Sequence, residues 1–166
     1  MYFDNIGTLN DLKKSFHALA RQYHPDTGNP GASDAKMKEI NAEYVARFEI
    51  LKQRQNAEAE AAPNGTTKAT TESSEEFIEI ISALLRLDGL TVELCGCWLW
   101  ISGDTRKHKD ALKAAGCRWA AQKQMWSWHH EEDGSWYYRG KKSIDEIRTK
   151  YGSTTFSAAD RAALPM

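Results

Sequence analysis

His24, Pro25 and Asp26 set an imidazole and a carboxylate two positions apart, on either side of a ring that fixes the backbone. Such a pair could share a proton in acid–base catalysis, but that use needs a nucleophile close by. The nearby hydroxyls, Ser15 and Thr27, belong to no pattern that assembles one. The same three residues also suit a turn. Pro25 would stop a helix, Asp26 and Gly28 would reverse the chain, and His24 would meet the carbonyl end of the helix dipole.

Two further constellations lie in the second half. Cys95, Cys97, Cys117, His108, His129 and His130 are potential zinc ligands. Cys-x-Cys on a strand nevertheless lacks the usual two-to-four-residue spacing of zinc loops, so no metal is expected and the cysteines read as reduced core residues. All six Trp fall between Trp98 and Trp136. The cations Arg106, Lys107, Lys109, Arg118, Lys123, Arg139, Lys141 and Lys142 are interleaved with them. Aromatics among cations can stack bases and neutralise phosphates, or capture a peptide, while paired Trp on one strand face can equally fill a small core.

The elements that position His24 to Asp26 are two helices. Thr8 is a good N-cap, with Asp11 in the first turn. From there Leu9, Leu12, Phe16, Leu19 and Tyr23 share one face, and Lys13, Lys14, His17 and Arg21 fall nearly opposite. After Pro25 a loop with Gly28, Pro30 and Gly31 leads to Ser33 or Asp34 as the next cap. Met37, Ile40, Tyr44, Phe48 and Leu51 then share a face. The pattern predicts an antiparallel helical hairpin, with Tyr2, Phe3 and Ile6 folding back to enlarge its core.

In this setting residues 2–52 resemble the J domain of the DnaJ co-chaperone family. "LKKSFHALARQYHPD" is similar to that family's second helix and signature loop, "MKEINAEYVARFEIL" to its third helix, and "YFDNIG" to a shortened first helix. The resemblance implies a non-catalytic role: docking on a DnaK-type ATP-driven chaperone and stimulating its ATP hydrolysis, with His24, Pro25 and Asp26 as the trigger. Physical chemistry is compatible with this. A carboxylate on a proline-stiffened loop accepts a charge-assisted hydrogen bond at low ordering cost, and Lys13, Lys14 and Arg21 can steer the helix onto an acidic surface. No Gly/Phe-rich linker follows, and the repeated four-cysteine zinc pattern of the large DnaJ proteins is absent, so the J-like part is expected to serve a specialised module.

Composition divides the remainder. Ala, Glu, Asn, Thr and Ser dominate from Gln53 to Glu76. The expected organisation is therefore a J-like domain at 1–52, a flexible linker at 53–74, a Trp-rich α+β domain at 75–152 and a tail at 153–166. Within the third segment, Phe77, Ile78, Ile81, Leu84 and Leu85 form a helical stripe suited to packing on a sheet. "TVELCGCWLWISG" reads as a strand, Thr105 to Ala115 as a helix, "CRWAAQ" and "MWSWHH" as a hairpin, "SWYYRG" as a further strand, and Ser143 to Tyr151 as a capped closing helix. The fold class is α+β, with an all-α hairpin followed by a mostly antiparallel sheet.

The chain carries 22 Lys and Arg against 23 Asp and Glu, so charge makes no global case for nucleic acid. Residues 91–152 hold 11 cations against 8 acids, a local excess of three that leaves an adaptor for a nucleic-acid complex as the alternative to a client-binding module. No apolar run reaches the roughly 20 residues of a membrane span, and no basic-then-apolar leader opens the chain. An odd cysteine count fits a reducing compartment, and the expected location is cytoplasmic.

Overall fold

A computed structural model describes residues 1–65, 67–130 and 143–156. Its described residues form two units, 1–85 with 130, and 86–129 with 143–156. The fold class is α+β, as the sequence predicts.

The first unit is helical. Helix α1 (Leu9–Tyr23) starts at Thr8, whose hydroxyl accepts the Asp11 amide at 3.1 Å. It ends at His24 because Pro25 cannot continue the ladder. Helix α2 (Asp34–Ala61) is capped by Ser33 and buries Met37, Ile40, Tyr44, Phe48 and Leu51, the predicted stripe. Its Ala- and Glu-rich end prolongs it to the residues just before Pro63. Helix α3 (Ser74–Leu85) completes the unit.

Three expectations change here. "YFDNIG" forms a bend and turn instead of a short helix. Glu43 Oε1 accepts the amides of Tyr2 (2.7 Å) and Phe3 (3.0 Å), and Arg47 Nη2 donates to the Ile6 carbonyl (2.7 Å). A segment too short to repay helix nucleation thus satisfies its backbone on α2 side chains. Phe3 does fold back, buried with its ring 6.2 Å from that of Tyr44.

The second change is α3, which the sequence placed on a sheet. It buries Phe77, Ile80, Ile81 and Leu84 in the helical unit, with the Phe77 ring 6.1 Å from those of both Phe16 and Tyr44. A two-helix hairpin is too small to bury its own aromatic face, and α3 covers it. The third is the linker. Residues 67–73 lie against the helices: Asn56 exchanges two hydrogen bonds with the Thr70 backbone (2.8 and 3.1 Å), and Gln55 Nε2 donates to the Lys68 carbonyl (2.7 Å).

The second unit is a five-stranded antiparallel sheet in the order β3-β4-β2-β1-β5. Its strands are β1 (Leu90–Cys95), β2 (Trp98–Gly103), β3 (Arg118–Ala120), β4 (Met125–Trp128) and β5 (Thr154–Phe156). Helix α4 (Lys109–Ala114) lies between β2 and β3, and α5 (Ile144–Tyr151) precedes β5. The expected single strand "TVELCGCWLWISG" is a hairpin, with Cys95 opposite Trp98. Gly96 at φ 61 supplies the positive φ that a two-residue turn of this kind requires at its first central position. β3 and β4 form the expected hairpin. Helix α4 is shorter than the predicted Thr105 to Ala115, and the expected tail begins with β5, paired to β1. "SWYYRG" lies outside the described residues. No helix among those described is long and apolar enough to cross a membrane.

Alternation separates two sheet faces. Val92, Leu94, Leu99, Ile101 and Trp126 make one of them apolar and buried. Glu93, Cys95, Trp98 and Trp100 share the other.

Candidate functional site

The loop after α1 is built by its own backbone. The His24 amide donates to the Ala20 carbonyl (2.8 Å) and closes α1. The chain then makes a single 3₁₀ turn, Pro25–Thr27, and leaves it through Gly28 at φ 66, a left-handed conformation that costs glycine little. The His24 ring caps this turn, Nδ1 accepting the Asp26 amide at 3.2 Å. An accepting Nδ1 carries no proton, which assigns the neutral ring to the Nε2–H tautomer. The Thr27 hydroxyl donates to the His24 carbonyl at 2.7 Å. Asn29 Nδ2 donates to the Arg21 carbonyl at 2.8 Å, satisfying one of the acceptors left at the end of α1.

These contacts give the three residues different settings. His24 is buried, Pro25 is exposed, and the Asp26 carboxylate is 41% exposed with Oδ2 3.6 Å from His24 Nδ1. The histidine orders the turn and the aspartate faces solvent. Chemically this arrangement presents an anion on a stiff support, and the adjacent Thr27 hydroxyl is engaged by backbone.

The predicted basic side of α1 divides. Lys14 and Arg21 are partly exposed, Lys14 Nζ lying 3.8 Å from Asp11. Lys13 is not on that surface. Its ammonium is 3% exposed, 2.5 Å from Glu72 Oε2, with the Phe77 ring centroid 5.2 Å away. His17 is buried too, its pKa lowered to about 3 by burial and, secondarily, by Arg21. For Lys13 the reason is α3 with its preceding segment, which covers a flank of α1 that a two-helix hairpin would leave wet. The buried residues of α1 are accordingly Leu9, Leu12, Lys13, Phe16, His17 and Ala20, a stripe rotated away from Leu19 and Tyr23.

Sequence reasoning missed Asn29 and Glu72. The Asn-Pro-Gly run of a turn pointed towards Asn29. Nothing local pointed to Glu72, 59 residues from its partner.

The second set of candidates is dispersed. Arg106 and Lys107 lie exposed between β2 and α4, Lys107 pairing with Asp104 at 3.2 Å, and Lys109 lies exposed at the start of α4. Arg118 is exposed on β3, and Lys123, in the β3–β4 turn, places its ammonium 5.2 Å from the Trp100 ring centroid. Arg139, Lys141 and Lys142 lie outside the described residues. Trp126 and Trp100 are buried, whereas Trp119 on β3 is 49% exposed. Trp98 and Trp100 stack at 5.6 Å, and the His129 ring lies 3.9 Å from that of Trp98.

The zinc candidates are also separated. Cys97 sits in the β1–β2 turn, off the strand face of Cys95, and burial pushes the Cys117 thiol up to about 11. His108 meets the Asp88 carbonyl at 3.0 Å, and His130 bridges Glu76 (2.6 Å) and Thr71 (2.9 Å). Among the described residues no group of three or more His, Cys, Asp or Glu is placed to hold a metal ion.

The amino-terminal third of the chain is similar to curated proteins named chaperone protein DnaJ. That of Rickettsia bellii is 51% identical over 51 residues, which are 30% of this chain and 12% of the relative. That of Rickettsia prowazekii is 47% identical over 49 residues, with the same two shares. For Roseiflexus castenholzii the identity is 51% over 48 residues, 26% of this chain and 13% of the relative. The chain thus spans about an eighth of the length of these relatives, and the likeness is confined to the helices and loop around His24. No family model matches the chain, and no solved structure matches it.

Proposed function

We propose that this chain, whose amino-terminal fifty residues are a J-domain segment similar to that of DnaJ, is a co-chaperone that docks on a DnaK-type chaperone and stimulates its ATP hydrolysis. The observation that carries the reading is the exposed Asp26 carboxylate, held on a turn that His24 caps and Pro25 stiffens, within the segment similar to DnaJ. Pre-ordering matters because a loop that is already fixed loses little entropy on contact, so more of the charge-assisted bond to a partner cation appears as affinity. Lys14 and Arg21 leave cations along the helix leading to the loop, suited to an acidic partner surface. His24 supports the aspartate and does not act as a base.

The chain itself is no enzyme in this reading; the chemistry belongs to the partner. The sheet unit is the module that selects a client or target. Exposed Trp119 on the three-residue strand β3 supports a contact surface there, and a single-stranded nucleic acid is the second occupant to test. A cytoplasmic location belongs to the same proposal.

The test is single-turnover ATP hydrolysis by a DnaK-type chaperone with and without the full chain. Stimulation is expected, and Asp26→Asn and His24→Gln should each abolish it while helical circular dichroism is retained. Undiminished stimulation by both variants would remove the loop from the mechanism. For the sheet unit, the full chain should bind labelled single-stranded DNA with steep salt dependence if the nucleic-acid reading is right, and not at all at low salt if it is wrong.

A further inference from the structure

Lys13 occupies a position where a charge is costly. It lies on α1 between Leu12 and Lys14, and its ammonium and the Glu72 carboxylate are 3% and 2% exposed. Burying an ion pair is often no better for stability than an apolar pair of similar volume, so the presence of one calls for a further reason. The segment that brings Glu72 to Lys13 supplies it.

Residues 67–73 form no regular secondary structure. Their attachments include Gln55 to the Lys68 carbonyl, the two-way pairing of Asn56 with the Thr70 backbone, Thr71 Oγ1 with His130 Nε2 at 2.9 Å, and Glu72 with Lys13, all of them polar. Thr67, Lys68, Ala69 and Thr71 are exposed, and no large apolar side chain of the segment enters the core. The next element differs. α3 is seated by Phe77, Ile80, Ile81 and Leu84, all buried. Polar contacts exchange with water at small net cost, whereas expelling four large apolar side chains does not. The segment can therefore lift while α3 stays in place, as a local opening that costs less than unfolding the helical unit.

Lys13 sits one residue from Lys14, on the helix whose far end presents Asp26. Lifting the segment would return a third cation, after Lys14 and Arg21, to the proposed docking side. We infer that residues 67–73 are an autoinhibitory strap, in which the Glu72 carboxylate holds Lys13 in place of a carboxylate on the chaperone's acidic docking surface. The strap rests on the co-chaperone reading and adds its regulation. Docking and strap closure compete for one ammonium, so each chaperone molecule that binds through Lys13 must first displace Glu72. A client or target that binds residues 67–73 would relieve the competition.

The experiment titrates the full chain into the single-turnover ATPase assay. Asn56→Ala removes both bonds to Thr70 without touching Lys13, Glu72 or the loop. It should lower the concentration for half-maximal stimulation by about fivefold, the lower end of typical couplings between sites. Lys13→Ala added to Asn56→Ala should cancel that gain, and Asp26→Asn should abolish stimulation in either background. Amide hydrogen exchange on the unmodified chain gives a second reading that no folding defect can spoil. The Thr70 amide should lose protection when the chaperone is added, while the amides of α3 keep theirs. Asp26-dependent stimulation with an unchanged half-maximal concentration, or a Thr70 amide that stays protected in the complex, overturns the strap and leaves the co-chaperone reading standing. Absence of stimulation from the unmodified chain and from Asn56→Ala overturns both.

Discussion

In the helical unit Glu72 ties the segment before α3 to Lys13, and in the sheet unit Arg148 of α5 is tied to Glu93 of β1. The first pair has one close contact, at 2.5 Å, between groups that are 3% and 2% exposed. The second has two, 2.7 Å from Nε and 2.8 Å from Nη2, and its guanidinium keeps 40% exposure although Glu93 has only 2%. A planar fork satisfies both carboxylate oxygens while part of the cation stays hydrated, so little is lost by bringing it in. A buried ammonium gives up its water for one carboxylate oxygen and an aromatic face, which returns less. The sheet pair is therefore a brace, and the helical pair is closer to a latch.

Removing one partner should separate the two cases most widely. Glu72→Ala leaves an ammonium buried, and a loss of about 3 kcal/mol is expected for the helical unit. Glu93→Ala leaves a guanidinium that keeps 40% exposure to water and should cost the sheet unit about 1 kcal/mol. The paired replacement Lys13→Met with Glu72→Leu should match or exceed the unmodified chain, since it removes both desolvation costs. Urea unfolding resolves the two units by their probes. All six Trp lie between residues 98 and 136, so fluorescence reports the sheet unit, while helical circular dichroism is dominated by α1, α2 and α3. Equal losses for Glu72→Ala and Glu93→Ala would erase the distinction between latch and brace.

Acid should sharpen the same contrast. The folded pKa of His17 is lowered from 6.5 to about 3, so the unfolded chain takes up a proton that the folded one refuses. Its contribution is complete above about pH 6.5 and is lost as pH falls towards 3, at up to about 1.4 kcal/mol per pH unit. Glu93 is held below the usual carboxylate value of 4.5, chiefly by its hydrogen bonds from Arg148. Its stabilisation is present above that value and disappears as pH falls through the lower folded one. The helical signal should therefore begin to weaken near pH 6, and His17→Leu should flatten its slope. The fluorescence transition should move only below about pH 4.5, and Glu93→Gln should remove that dependence. A common onset for both probes would contradict the assignment of His17 to a dry site.

Those contrasts lay partly in view in the sequence. The α2 stripe was legible residue by residue, because Met37 to Leu51 keeps one period and one environment throughout. The turn at His24 was legible because proline and glycine act on their own backbone. The destination of α3 was not. An apolar stripe states that a face will be buried and leaves the covering element open, and helices can cover it as well as a sheet. Lys13 was misplaced for a related reason: charge predicts hydration until a carboxylate arrives from 59 positions away. Leu19 and Tyr23 were assigned to the core, and the rotation caused by α3 moved both to its rim. The turn at Gly96 and Cys97 was hidden inside one apolar run, where no polar break separates two strands. Of the proposed site, the loop and its supporting helix were readable, and the cover over α1 was not.

The smallest effects should come from the helix caps, and they bear on how each pair is carried. Ser143 and Glu146 form a reciprocal capping box on α5, with contacts of 2.8 and 3.3 Å. Thr8 caps α1 through one amide at 3.1 Å and also bonds the Asp11 carboxylate at 2.7 Å. α5 has 8 residues and α1 has 15, so α5 has fewer internal hydrogen bonds to hold it once its first turn frays. Fraying would also disturb Arg148, which bonds Asp145 in that first turn at 2.9 Å as well as Glu93. Ser143→Ala should therefore cost the sheet unit about 1 kcal/mol or slightly more, and Thr8→Ala should cost the helical unit about 0.5 kcal/mol. Both are read by urea unfolding with the two probes above. If Ser143→Ala has no effect while Arg148→Ala does, the brace holds α5 by itself and the cap is dispensable. If each costs about the same and the double variant costs no more than either, cap and brace act as one unit, and the short helix exists only while both are made.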